Sequence, residues 1–124
     1  MRRRFAGRVD QVAAARRFVA GALARGSSAV DAARLLVTEA ATNALLHSAS
    51  GEEGGSFEVS CEVDGERSIR VEVHDGGAPS GPRRRVHQLD ALTGRGLELF
   101  DAVASRWGHG GGPSGRVVWF ELDL

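Results

Sequence analysis

Two stretches of strict apolar–polar alternation constrain this chain more than anything else in it: FEVSCEV (Phe57–Val63) and SIRVEVHD (Ser68–Asp75). In the first, Phe57, Val59, Cys61 and Val63 share one face, and Glu58, Ser60 and Glu62 the other. In the second, Ile69, Val71 and Val73 repeat the inward pattern. A period of two is that of a strand buried on one side only. Asp64–Gly65 between them is a hairpin-turn signal. A sheet with one apolar face must be covered by a second layer. The opposite face, with Glu58, Glu62, Arg70 and Glu72, suits solvent or a partner.

The covering layer is legible upstream. VDQVAAARRFVAGALARG reads as a first helix, with Asp10 as its cap and Val12, Ala15, Phe18, Val19, Ala22 and Leu23 as an apolar stripe. Gly26 is a natural stop, and Ser27 or Ser28 opens a second helix from about Val30 to His47. Beyond the hairpin, GGAPSGPRRRVHQLDALTGRG has no clear period; a loop this long in a small domain is usually functional. LELFDAVASRW is a short helix beginning at Gly96 or Leu97, GHGGGPSG a glycine-rich turn, and RVVWFELDL a closing strand. The expected fold is therefore an α/β (α+β) two-layer sandwich. It has a mixed β-sheet with the helices packed on one face, and a single domain over residues 1–124 of the 124-residue chain.

Composition excludes several classes of chemistry. The 16 basic residues are all arginine and balance 16 acids, so no overall field draws the chain to nucleic acid or to a membrane. With no lysine there is no P-loop lysine and no Schiff base. One cysteine, Cys61, allows no internal disulfide and suits a reducing cytoplasm. His74, His87 and His109 share no metal-ligand spacing, and no apolar run reaches the length of a membrane span. MRRRFAGR is basic but is followed by no apolar segment of the signal-peptide kind.

Three stretches carry chemistry-bearing residues. In LLVTEAATNALLHS (Leu35–Ser48), Leu36, Val37, Ala40, Ala44 and Leu45 supply a buried side, while Glu39, Asn43 and His47 fall at i, i+4 and i+8 on one line. From spacing alone, a polar helix edge meeting water accounts for that line better than a cleft does. The sharper reading is an amide oxygen suited to Mg²⁺ held mainly by phosphates, with a carboxylate one turn away able to take a proton. In VEVHDGGAP, Asp75 ends a strand where glycines begin; a plain Asp-Gly turn explains this, as does a carboxylate accepting from an exocyclic amine. In TGRGLELF, Gly94 and Gly96 precede a helix, whose N-terminal amides bind phosphate; turns also produce this pattern constantly.

The order of these signals resembles the GHKL ATPases. A helix with E-x-x-x-N is followed by a strand ending in D-x-G, then a loop, then G-x-G-L opening a helix, then a final strand. The phrases TEAATNALLHS, GRGLELFDAVASRWG and VVWFEL look like those of the small bacterial anti-sigma factor kinases and their single-domain relatives. The resemblance runs from about Phe5 to Leu124 and implies the ATP-binding (Bergerat) fold. It implies that Glu39 is the general base and that Asn43 coordinates the Mg²⁺ of Mg-ATP. Asp75 would read the adenine amine, and Gly77 would make room for the base. Gly94, Arg95, Gly96 and Leu97 would cover the phosphates, with Ala78–Thr93 as a short lid. Two departures stand out: Pro79 replaces the second glycine of D-x-G-x-G, and Val117, or a position near it, stands where relatives often carry an adenine-pocket threonine.

What the resemblance implies for function is an ATP:protein serine/threonine kinase and anti-sigma factor of a partner-switching system. It would be cytoplasmic, would phosphorylate an anti-sigma antagonist, and would bind that antagonist or a sigma factor. Relatives commonly form homodimers. The competing class is a non-catalytic anti-sigma or adaptor module acting by protein binding alone. The ATP-binding lobe of a sensor histidine kinase ranks below both, because no dimerisation segment with a phosphoacceptor histidine precedes the domain.

Overall fold

The structure, a computed structural model, describes residues 1–24, 26–47, 52–76, 95–112 and 114–124, and of residues 47 and 95–97 the backbone alone. Among the described residues eight elements follow one another: β1 (Arg2–Ala6), α1 (Asp10–Gly21), α2 (Ala29–His47), β2 (Ser56–Asp64), β3 (Ser68–Asp75), α3 (Arg95–Val103), β4 (Arg106–Gly112) and β5 (Gly115–Asp123). The strands form one open five-stranded sheet in the order β1-β2-β3-β5-β4. All four pairings are antiparallel, so the sheet is not mixed as expected; the α/β two-layer arrangement stands.

The alternation in β2 and β3 does what its period demands. Phe57, Val59 and Cys61 are buried, as are Ile69, Val71 and Val73, and the register pairs Val59 with Val73 and Cys61 with Val71. Val63 leaves the pattern and is exposed near the turn. That turn holds Gly65 at φ 55°, and the Arg67 N–H donates to the Asp64 carbonyl at 2.9 Å. Burial pushes the Cys61 thiol up to about 11, which leaves it a small inert hydrophobe.

The helices cover the apolar face. α2 packs against β2, β3, β5 and α3, and α1 lies beside α2 and β1. One continuous core joins Val12, Ala15 and Val19 of α1 to Leu36, Val37, Ala40, Ala41, Ala44 and Leu45 of α2, the inward strand residues, and Phe100 of α3. At one side Phe5 stacks on Phe57 and meets Phe18 edge-on; at the other Phe100 meets Phe120 and Trp107 edge-on. Asp10 does not cap α1 as expected: it is the first helical residue, and its carboxylate accepts from Arg8 instead. The second-helix start is correct in kind, since Ser27 Oγ accepts from the Ala29 N–H at 3.3 Å. Gly26, at φ 77°, ends the preceding turn.

Two strands escaped the sequence reading. β1 is the basic RRRFA, whose single buried side chain is Phe5. β4 is RWGHGGG: Arg106 and Trp107 were expected to end the third helix, which stops at Val103, and the glycines after them to form a turn. Its glycines have a tertiary reason. Gly108 faces Trp119 across the β4–β5 pair, and a Cβ there would lie 2.8 Å from the indole nitrogen. The indole therefore lies flat over bare backbone, and the Arg70 guanidinium sits 4.2 Å above its centre on the helix-free face.

That face is a lattice of ions. Arg70 donates to Glu72 (2.9 Å) and Glu121 (3.2 Å), Arg106 donates to Glu121 (2.6 Å) and also pairs with Asp123, and His74 meets Glu72 at 3.0 Å. Hydrogen bonding from Arg106, joined by Arg70, holds the Glu121 carboxyl below its ordinary 4.5. A carboxylate depressed in the fold stabilises it above the ordinary value and loses that contribution as pH falls through the folded one. Glu121→Gln is thus expected to lower the urea midpoint at neutral pH and to match the wild type in acid below that range. Gly108→Val is expected to cost about 1–3 kcal/mol by overpacking against Trp119 and to shift tryptophan emission. Gly110→Val, with nothing within 4 Å of its added Cβ, should leave both readings nearly unchanged.

Candidate nucleotide site

Helix α2 buries Leu36, Val37, Ala40, Ala41 and Ala44 at 2% exposure or less, because alanines at three of these five positions let the helix lie close on the sheet. Glu39 and Asn43 fall one turn apart on the flank of that face and are half-buried. Among the described residues, no hydrogen bond or ion pair engages the Glu39 carboxylate or the Asn43 amide. Thr38, on the neighbouring flank, is by contrast fully tied: its hydroxyl donates to the Arg34 carbonyl at 2.7 Å and accepts from Arg16 of α1 at 3.3 Å. Half-buried polar groups without protein partners face either solvent or a ligand.

Asp75 is the last residue of β3 and continues the inward series Ile69, Val71, Val73, so it lies on the face that α2 covers. Its side chain is 7% exposed. Directly across the β3–β5 pair stands Arg116, 14% exposed, whose Nη2 donates to Asp75 Oδ2 at 3.2 Å. Sequence reasoning missed Arg116 altogether; the signal was its place two residues before the buried Val118 on an alternating strand. The same register narrows the expectation placed on Val117 or a position near it. Val117 pairs with His74, so its side chain belongs to the opposite face from Asp75, and the inward positions of β5 near the site are Arg116 and Val118.

Of the other expected site residues, Gly77 and Gly94 lie outside the described residues, as do Pro79 and the lid segment 78–93. Arg95, Gly96 and Leu97 form the first turn of α3, one residue earlier than the expected helix start. An open groove of about 240 Å³ adjoins Asp75 and Gly76, but Arg4, Glu58 and His74 of the helix-free face line it and no residue of α2 does. It belongs to the end of the sheet.

The donor set bears on the cation. Among the described residues no three His, Cys, Asp or Glu side chains cluster as a metal cage. A magnesium ion here would take most of its ligands from phosphate oxygens and water, and the unengaged Asn43 carbonyl is the neutral oxygen that such an ion accepts. The residues present fit Mg²⁺ carried in on a nucleotide.

An open antiparallel sheet is thus covered on one side by helices, one of which carries an acid and an amide one turn apart, and a largely buried aspartate ends a strand on the covered side. The histidine kinase-like ATPase domain family model matches residues 5–122, and the chain belongs to that family, within the GHKL superfamily. Membership implies an ATP site, typically with Mg²⁺. No curated protein matches the chain. Among the described residues, no helix is long and apolar enough to cross a membrane.

The Asp75–Arg116 pair is nearly dry, so removing one member takes a counter-charge away from a largely buried group. Asp75→Asn or Arg116→Met alone is expected to cost on the order of 3 kcal/mol. The double variant should cost much less than the sum, as read by a double-mutant cycle in urea unfolding.

Proposed function

We propose that the chain is an ATP-dependent serine/threonine protein kinase of a partner-switching system, phosphorylating an anti-sigma antagonist and binding that antagonist or a sigma factor in the cytoplasm. The observation that carries this reading is the unengaged, half-buried Glu39–Asn43 pair on the helix that covers the face bearing Asp75.

Phosphoryl transfer needs few covalent steps from the protein; it needs the nucleotide held, charge neutralised and a hydroxyl aligned. Asp75 accepts a hydrogen bond from the adenine amine. Asn43 offers its carbonyl oxygen to Mg²⁺, which when bound neutralises charge on the phosphates. The first-turn amides of α3, at Arg95–Leu97, point donors toward phosphate oxygens. Glu39, one turn from Asn43, takes the proton from a serine or threonine hydroxyl of the partner as its oxygen bonds to the γ-phosphorus and the bond to ADP breaks. Lysine is not required, because amides and one cation supply the positive field.

Glu39→Gln is expected to abolish phosphate transfer to a candidate antagonist while calorimetry still detects Mg-ATP binding. Loss of transfer by about 10²-fold or more would fit removal of a general base. Unaltered transfer in that variant would remove Glu39 from the chemistry. Absence of binding heat with wild-type protein at millimolar Mg-ATP would remove the kinase reading itself.

A further inference from the structure

We propose that the outer edge of β1 is a docking strand, which takes up an extended, acidic segment of a partner protein by adding it to the sheet. This goes beyond the nucleotide site and does not rest on it.

The phase of the ladder decides which backbone groups the edge offers. The Cys61 N–H donates to the Met1 carbonyl at 2.7 Å, and the Gly7 N–H donates to the Gly55 carbonyl at 2.8 Å. These two bonds bracket β1 and turn the main chain of its odd-numbered residues toward β2. Alternation along an antiparallel ladder then turns the N–H and C=O of Arg2 and Arg4 the other way, off the side of the sheet. The Ala6 carbonyl, on that same outer side, is taken by the Arg8 N–H at 2.8 Å, so the open stretch ends there. β1 stands first in the sheet order, and among the described residues no strand lies beyond it. Its register with β2 runs unbroken from Arg2 to Ala6, and the strand contains no proline. A regular edge of this kind is a template for one more strand.

The side chains select what can pair. Charge is a common guard of sheet edges, but here the guard is all of one sign. Arg2 and Arg4 share one carboxylate, Glu58, at 3.2 and 4.0 Å, and are 68% and 74% exposed. Arg3 lies on the opposite face, its guanidinium 5.4 Å from the centre of the Phe5 ring. The β2 residues across from Arg2, Arg3 and Arg4 are Ser60, Val59 and Glu58, so Glu58 is the one acid facing these arginines. A second copy of β1 laid along this edge would bring arginine against arginine, which is destabilising. A strand carrying Asp or Glu gains instead, on both of its faces. The edge therefore rejects its own kind and admits a strand of opposite charge.

The experiment uses the whole chain and a short blocked peptide alternating Glu with Val, followed by amide hydrogen exchange and calorimetry. The peptide is expected to slow exchange at Arg4 by about tenfold or more. Arg3 and Phe5, whose N–H groups face β2, should change little. The same peptide with Lys for Glu should not bind. Nor should the Glu peptide with every amide N-methylated, which keeps its charge and loses its donors. Rising salt should weaken binding, and Arg3→Glu should weaken it by on the order of tenfold. Equal binding of the Glu and Lys peptides overturns the proposal, as does binding of the N-methylated one. So does binding of the Glu peptide with Arg4 exchange unchanged, or no binding of it at millimolar concentration. Slowed Arg4 exchange on raising the protein concentration alone would make a second copy the occupant and overturn it as well. These comparisons use wild-type protein, so they decide the matter even where Arg3→Glu does not fold.

Discussion

Close contact between α2 and the inward face of the sheet governs both stability and site geometry. The contact is built from small residues on the helix, Ala40, Ala41 and Ala44, against Val71, Val73 and Phe120 on the strands, all buried in one core. A helix bearing bulkier side chains here would stand off the sheet. Because α2 lies low, its flanking residues Glu39 and Asn43 are carried into half-buried positions. On the same side of the sheet, at the end of the strands, Asp75 and Arg116 are largely withdrawn from water. A carboxylate so placed needs a counter-charge, and β5 supplies it from the directly opposed position.

The other side of the sheet follows different physics. With none of the described helices over it, it satisfies its charges laterally, through a chain from His74 and Glu72 through Arg70 and Glu121 to Arg106 and Asp123. Partial burial alone would raise the Glu72 carboxyl, but hydrogen bonds from Arg70 and His74 outweigh it and the net shift is downward. Trp119 gives this polar face one broad apolar surface, shielded below by Gly108 and above by Arg70. The two faces meet at the ends of β3 and β5. There one register step separates the outward His74–Val117 pair from the inward Asp75–Arg116 pair.

Where the reading from sequence succeeded, local chemistry and tertiary demand agreed. Strict alternation placed Phe57 to Cys61 and Ile69 to Val73 on the covered face, and serine before alanine opened α2 as a cap should. Where it failed, a distant residue set the local choice. The glycines of β4 look like a loop until Trp119 is seen lying over Gly108. β1 looks like a basic tail until Phe5 stacks on Phe57, more than fifty positions away. For the position expected at Val117 or near it, the register puts Val117 outward and Val118 inward, a one-residue step of strand phase that cannot be detected along the chain.

The amino-acid order by itself determined which residues can be strands and helices, which face of each is apolar, and that an acid and an amide share one line on α2. These are consequences of periods of 2 and 3.6, which are local properties of the backbone. Only the tertiary structure decided the antiparallel order β1-β2-β3-β5-β4, the strand made of glycines, and the arginine that holds Asp75. Those depend on which strand lies beside which and in what register. That is settled by packing and charge pairing between segments far apart in the chain, and no local period records it.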